Sequence, residues 1–301
     1  MTDKNNDQQP SDESPSELSR RDFVAMSLAA GLVAAAGSAS AADLPVVETN
    51  VEIKTPDGTC DAVFIHLTTG THLGVLIWPD AFGLRPSMRD IGERIAAEGY
   101  SVLVPNPFYR VAKAPVIQDP SKFSFANPDD RAKLTPLMGS IQASGAAEKD
   151  AAAFIAFLDA QKEVNKAKKI GTQGYCMGGP LVMRTAAAVA NRVGAGASFH
   201  GGGLVTDMPN SPHLLAPQIK AKMYFGVASN DDMTQPDAKD KLKAAFVAAK
   251  NPAEIEVYTG AQHGWCVPDM PMQANGMPIY SKPDAERAWG KLVALYKAAL
   301  V

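Results

Sequence analysis

Gly174-Tyr175-Cys176-Met177-Gly178-Gly179 puts a single thiol among glycines, where a short β-type run gives way to a small-residue helical run. A strand that turns sharply into a helix can expose a nucleophile at its tip only if the flanking residues are small, because a side chain there would strike the returning backbone. The G-x-C-x-G spacing therefore reads as a nucleophile elbow, with Cys176 at the start of a helix whose dipole favours a negative sulfur. A buried cysteine in a tight turn would leave the same residues with no chemistry attached. What separates the two readings is whether a base, and a group to orient it, follow at the right places.

An apolar run at 224–228 leads into Ser229-Asn230-Asp231-Asp232, and another at 254–258 leads into Gly260-Ala261-Gln262-His263-Gly264. Nucleophile, acid and histidine in that chain order, each just beyond a strand, is the order of the α/β-hydrolase fold. His263 is expected to take the thiol proton or to hold an ion pair with the thiolate, while a carboxylate orients its ring. Asp231 is the expected carboxylate and Asp232 the alternative, one of the two being only a solvated cap. The competing reading of His263 is a surface-loop histidine between glycines. A tetrahedral oxyanion also needs two converging backbone N–H groups. Met177, next after the nucleophile, and Ala81, in Pro79-Asp80-Ala81-Phe82-Gly83, are the expected donors. Asp80 either faces the thiol or serves as a turn carboxylate. His200-Gly201-Gly202-Gly203 looks like a glycine-rich oxyanion motif, but that motif belongs before the nucleophile. It reads instead as a strand end beside the cleft, and His66, His72 and His213 show no partner spacing.

These residues need a frame. From about residue 50, short apolar runs alternate with helical patterns, the signature of a single α/β domain with a mostly parallel central sheet and helices on both faces. Strands are expected at 51–53 and 62–67 as an antiparallel pair around Thr55-Pro56-Asp57-Gly58, then at 74–78, 101–104, 168–173, 195–199, 223–228 and 255–258. Helices are expected at 86–98, 146–158, 179–190, 236–249 and 284–300. Between Pro105 and Pro136 six prolines (105, 107, 115, 120, 128, 136) are too many for one continuous element. That stretch is expected to be an irregular connection with short helices, or a cover over the site.

An apolar content of 46% supplies a full core, and a net charge of −3 without a basic stripe argues against nucleic acid as a partner. Three cysteines, Cys60, Cys176 and Cys266, form no disulfide framework and no zinc spacing, so no metal and no cofactor are expected. Cys266, three residues beyond His263, is a possible disulfide mate that would lock Cys176. Residues 1–42 read as a leader. A polar stretch of disordered composition is followed by Ser19-Arg20-Arg21-Asp22-Phe23, a short apolar run, and Ala39-Ser40-Ala41-Ala42 as a cleavage site. The paired arginines resemble the twin-arginine export signal, which implies the twin-arginine machinery as a partner and a periplasmic or secreted product beginning near Ala42 or Asp43. The apolar run is shorter than the roughly 20 residues of a membrane span, so no stable anchor is expected after cleavage.

Taken together, the expected domain, residues 43–301, resembles the dienelactone hydrolase family from about residue 50 to 300. The likeness rests on Trp78-Pro79-Asp80-Ala81-Phe82-Gly83-Leu84 continuing through Met88-Arg89-Asp90, Gly99-Tyr100 and Pro105 to Arg110, on the elbow, and on Tyr258-Thr259-Gly260-Ala261-Gln262-His263-Gly264. The resemblance implies a Cys176, Asp231, His263 triad and an early-loop carboxylate, Asp80, paired with the resting thiol, where the family usually has glutamate. It also implies an arginine four residues after the histidine to hold a substrate carboxylate; this chain has Val267 there. The expected function is hydrolysis of a small-molecule lactone or carboxylic ester through a covalent acyl-enzyme. The alternative is a periplasmic binding protein that keeps the fold without the reaction. The Pro- and Met-rich stretch 268–278 is either a solvent-facing insertion or an apolar wall over the cleft.

Overall fold

The computed structural model describes residues 45–300. The proposed leader, with Arg20, Arg21 and the cleavage site at 39–42, lies outside the described residues. No helix among the described residues is long and apolar enough to cross a membrane.

Eight strands form one sheet: β1 (Val46–Thr55), β2 (Gly58–Leu67), β3 (Leu73–Trp78), β4 (Tyr100–Pro105), β5 (Ile170–Tyr175), β6 (Val193–Phe199), β7 (Lys222–Ala228) and β8 (Glu254–Tyr258), in the order β1-β2-β4-β3-β5-β6-β7-β8. The expected opening hairpin is present and longer than its apolar residues suggested, pairing Val46 with Leu67 through Thr55 with Gly58. β2 meets β4 antiparallel, and every pairing from β4 to β8 is parallel. Parallel neighbours need crossovers. The connections carry α1 (Pro86–Ala97), α2 (Pro128–Gln142), α3 (Ala146–Ala160), α4 (Gly178–Ala188), a 3₁₀ segment at Pro212–Gln218 between β6 and β7, α5 (Ser229–Thr234) and α6 (Ala238–Ala248), and α7 (Lys282–Ala299) follows the last strand.

Alternation along the strands builds two cores, one on each side of the sheet. Ala62, Phe64, Leu76, Trp78 and Leu103 pack with residues of α2, α3, α4 and α6. Val63, Ile65, Val75, Ile77, Val102 and Val104 pack with residues of α1 and α7 on the other face. The parallel strands therefore all end at one edge, and the loops that leave it carry positions 79–85, 176, 200–211, 229–232 and 259–281.

The proline-rich stretch departs from expectation. After a 3₁₀ turn at Pro120–Lys122, α2 runs 15 residues straight through Pro136. Its start is well specified: the Asn127 side chain accepts a hydrogen bond from the Asp129 N–H at 2.9 Å, and Pro128 occupies the first turn, where its missing N–H costs nothing. Burial of Leu134, Leu137 and Ile141 along one stripe outweighs the hydrogen bond that Pro136 removes. The short helix α5, directly after β7, was also not expected.

Candidate active site

At the tip of β5, Cys176 has φ = 51°, a left-handed conformation that costs a non-glycine residue about 1–2 kcal/mol. Its neighbours show what holds it there. A Cβ on Gly174 would lie 2.2 Å from the Gly178 carbonyl oxygen, and one on Gly178 would lie 2.4 Å from that of Trp78 and 2.9 Å from that of Pro79. All three obstacles are backbone, so only glycine lets the elbow close and lie against the loop that follows β3. The peptide groups of Cys176 are held by the segment after β6. The Cys176 N–H donates to the Phe199 carbonyl and to His200 Nδ1, both at 3.1 Å, and the Cys176 carbonyl accepts from Gly202 at 3.3 Å.

His200 stands at the expected glycine-rich strand end, directly after β6, and also packs on the site. It is fully buried, adopts φ = 41°, and stacks edge-on against His263 at 5.0 Å and Trp265 at 5.1 Å between ring centroids. Burial and the charge on His263 push its pKa well below that of a free imidazole. A neutral ring that accepts at Nδ1 carries its proton on Nε2, and that atom has no hydrogen-bond partner among the described residues. The signal was the motif itself, discounted because it stands after the nucleophile.

His263 and Asp231 reach the same edge from β8 and β7. His263 Nδ1 lies 2.8 Å from Asp231 Oδ2, the His263 N–H donates to Asn230 Oδ1 at 2.8 Å, and Ser229 N–H donates to the Ala261 carbonyl at 2.9 Å. Those bonds lock the acid loop to the histidine loop and leave Nε2 free to face the sulfur. Burial works against a charge on this ring, but Cys176 and Asp231 outweigh it, raising the pKa to about 10. Asp232 turns away to Lys239 Nζ at 2.7 Å. Of the two adjacent aspartates, the first is therefore the one that meets the imidazole.

Ala81 and Cys176 pack against the same core cluster that contains the Met177 side chain. Neither the Ala81 nor the Met177 backbone N–H donates to another described residue. Asp80, by contrast, is not hydrogen-bonded to the thiol. Its two oxygens accept from Arg85 Nη1 at 2.8 Å and Nη2 at 2.9 Å, and Oδ1 also accepts the Phe82 N–H at 2.9 Å. Arg85 in turn reaches Asp269, a pairing 184 residues apart that no local pattern announces.

Cys266 packs in the core on the opposite face of the sheet from the cluster that Cys176 touches, and all three thiols are free, so the suggested Cys176–Cys266 lock is not formed. Burial, with Asp284 nearby, pushes the Cys266 thiol well above its ordinary pKa, and burial does the same to Cys60. In the Pro- and Met-rich stretch, Met270 packs against both cores while Met272 and Met277 are exposed. Among the described residues no group of three or more His, Cys, Asp or Glu is arranged to hold a metal ion.

Comparison with known proteins places this geometry in context. The model of the dienelactone hydrolase family matches residues 61–300. The chain is 27% identical over 234 residues to Protein usf of Aquifex pyrophilus, covering 75% of this chain and 88% of that one. It is 25% identical over 219 residues to the carboxymethylenebutenolidase of Rhodococcus opacus, covering 70% of this chain and 78% of that one. In fold it is similar to a dienelactone hydrolase-like promiscuous phosphotriesterase from metagenomic libraries, with a TM-score of 0.68 at 20% identity over 85% of this chain and 99% of the other.

Proposed function

The chain belongs to the dienelactone hydrolase family, and from that premise we propose that it hydrolyses a lactone or carboxylic ester through a thioester formed on Cys176. The observation that carries the proposal is the placement of one imidazole between the Cys176 sulfur and the Asp231 carboxylate, with its pKa raised to about 10 by both. A ring so held is protonated at neutral pH and turns its Nε2–H to the sulfur that is to act as the nucleophile.

In the first half-reaction the sulfur attacks the ester carbonyl carbon, and the carbonyl π electrons move onto oxygen, which the Ala81 and Met177 N–H groups receive. Collapse restores the carbonyl and breaks the C–O bond to the alcohol, whose oxygen takes the proton from His263 Nε2. Water then attacks the thioester carbonyl, giving its proton to the same nitrogen. Breaking the C–S bond releases the acid and returns the thiolate beside the imidazolium. Asp231 keeps the ring in register throughout.

Replacing Cys176 by Ala tests the assignment. Turnover of para-nitrophenyl esters is expected to fall at least about a thousandfold with the circular dichroism of the folded parent retained, since the nucleophile acts with the histidine as a unit. Undiminished activity would overturn it. We also propose export of the folded enzyme by the twin-arginine machinery, supported by Arg20-Arg21 and the run that follows them. Fractionation of cells expressing the Arg20→Lys/Arg21→Lys variant tests this: the protein is expected to stay in the cytoplasm, and undisturbed export counts against the signal.

A further inference from the structure

Next to the proposed oxyanion donor Ala81 lies a charge cluster that the hydrolysis scheme does not use. Asp80, which follows the Pro79 carbonyl packed on the elbow, pairs with Arg85, and Arg85 pairs on its other side with Asp269 from the loop after β8. A guanidinium has five N–H donors, and here every one is taken. Nε and one Nη2 proton go to Asp269 at 2.8 Å, the other Nη2 proton goes to Asp80 at 2.9 Å, and Nη1 donates to Asp80 at 2.8 Å and to the Gly83 carbonyl at 3.1 Å. The Arg85 side chain is 1% exposed, while that of Asp269 is 28% exposed. Burial opposes ionisation of Asp269, and Arg85 outweighs it, holding the carboxyl below its ordinary range. The cluster thus carries a net charge of −1, and the part that meets solvent is carboxylate.

Two further features of this edge point the same way. Val267, two residues before Asp269, is fully buried and offers no charge. Phe82, directly after Ala81, packs with Phe123 and Phe125 at ring-centroid distances of 5.1 and 5.8 Å, those two rings lie 4.9 Å apart, and Phe125 is 49% exposed. Arg85 sits 5.4 Å above the Phe82 ring and both are buried, so the members of this group that meet solvent are the Asp269 carboxylate and the Phe125 ring. An arginine without a free donor cannot bind a substrate carboxylate, and a net negative cluster repels one.

We infer that this site takes uncharged esters and lactones with apolar substituents and discriminates against substrates that carry a carboxylate, with Asp269 as the specificity-determining residue. The inference rests on the proposed hydrolysis at Cys176. It sets this chain apart from an enzyme that holds its substrate by a carboxylate.

A matched pair of esters tests it on the purified protein: para-nitrophenyl pentanoate and mono-para-nitrophenyl glutarate, equal in acyl length and differing by one carboxylate. The parent is expected to favour pentanoate in kcat/KM by roughly tenfold or more, the size of one unit charge acting across a partly wet site. Asp269→Asn is expected to shrink that ratio several-fold, whereas Asp232→Asn, which removes an equal charge paired with Lys239, leaves it in place. A parent that hydrolyses the glutarate as well as the pentanoate overturns the inference, as does a ratio unmoved in a folded Asp269→Asn protein. The parent ratio decides the matter by itself if that variant does not fold. Failure to hydrolyse either ester is a different result and overturns the hydrolase reading beneath it.

Discussion

The adjacent aspartates after β7 allow a sharp contrast, because they bear the same charge and differ in what they meet. Asp231 Oδ2 is 2.8 Å from His263 Nδ1 with both side chains about 70% shielded, at 30% and 27% exposure. A charge-assisted hydrogen bond in such a setting contributes about 1.5–3 kcal/mol, well below the bare Coulomb energy because solvent screens part of it. If the bond strengthens as His263 acts, that difference corresponds to a loss of roughly 10- to 150-fold in kcat/KM for Asp231→Asn. Asp232 meets only Lys239 at 2.7 Å, with 24% and 32% exposure, a solvent-screened surface pair that adds little to stability and nothing to the reaction. Its Asn variant is expected within about threefold of the parent rate. Initial rates on para-nitrophenyl pentanoate, with urea titrations to separate folding from activity, measure both. Equal losses in the two variants, or an Asp231→Asn enzyme of parental activity, would refute the orientation of His263 by Asp231.

Other outcomes follow from the same geometry. Gly178→Ala drives a Cβ to 2.4 Å from the Trp78 carbonyl oxygen, and because the obstacle is backbone a loss of about 3 kcal/mol or more is expected in urea denaturation; an unchanged midpoint counts against the close approach. The His263 pKa is raised from 6.5 to about 10 in the fold, so the stabilisation from the charged ring is complete below about pH 6.5 and is lost as pH rises through about 10. The melting temperature is expected to fall across that window in the parent and to stay flatter in His263→Gln, and identical profiles contradict the ion pair. His200→Phe removes one of the two acceptors of the Cys176 N–H, leaving the Phe199 carbonyl, and keeps an aromatic ring in place. It is expected to slow alkylation of Cys176 by iodoacetamide and lower kcat about tenfold, the effect of one lost hydrogen bond, with His200→Asn recovering part of both. A His200→Phe protein with parental alkylation and turnover makes the ring mere packing.

Much of the site was legible because it rests on local requirements. Glycines around Cys176 are demanded by the backbone of the turn, and the order of Cys176, Asp231 and His263 along alternating strands and helices is a topological fact that a one-dimensional pattern preserves. Pairings across the chain were not legible. Whether Asp231 or Asp232 faces the imidazole depends on the turn of α5 after β7, which spans only six residues. Asp80 was expected to face the thiol, and the Arg85 that engages it is itself shared with Asp269, 184 residues away. The number of prolines in 105–136 argues against one continuous element but does not show where a helix can still form, and α2 survives Pro136 because its buried leucine and isoleucine stripe and its capped start act over the whole helix. His200 was set aside by comparison with a motif at another point of the chain, although its conformation serves the elbow directly.

The most direct measurement is acid quenching of the enzyme during turnover of para-nitrophenyl pentanoate, followed by intact and peptide mass spectrometry. One pentanoyl group on the peptide that contains Cys176, removable by hydroxylamine and missing from Cys176→Ala, is the expected result. Continued turnover by Cys176→Ala, or an acyl group found on any other side chain in its place, would contradict nucleophilic catalysis by this thiol.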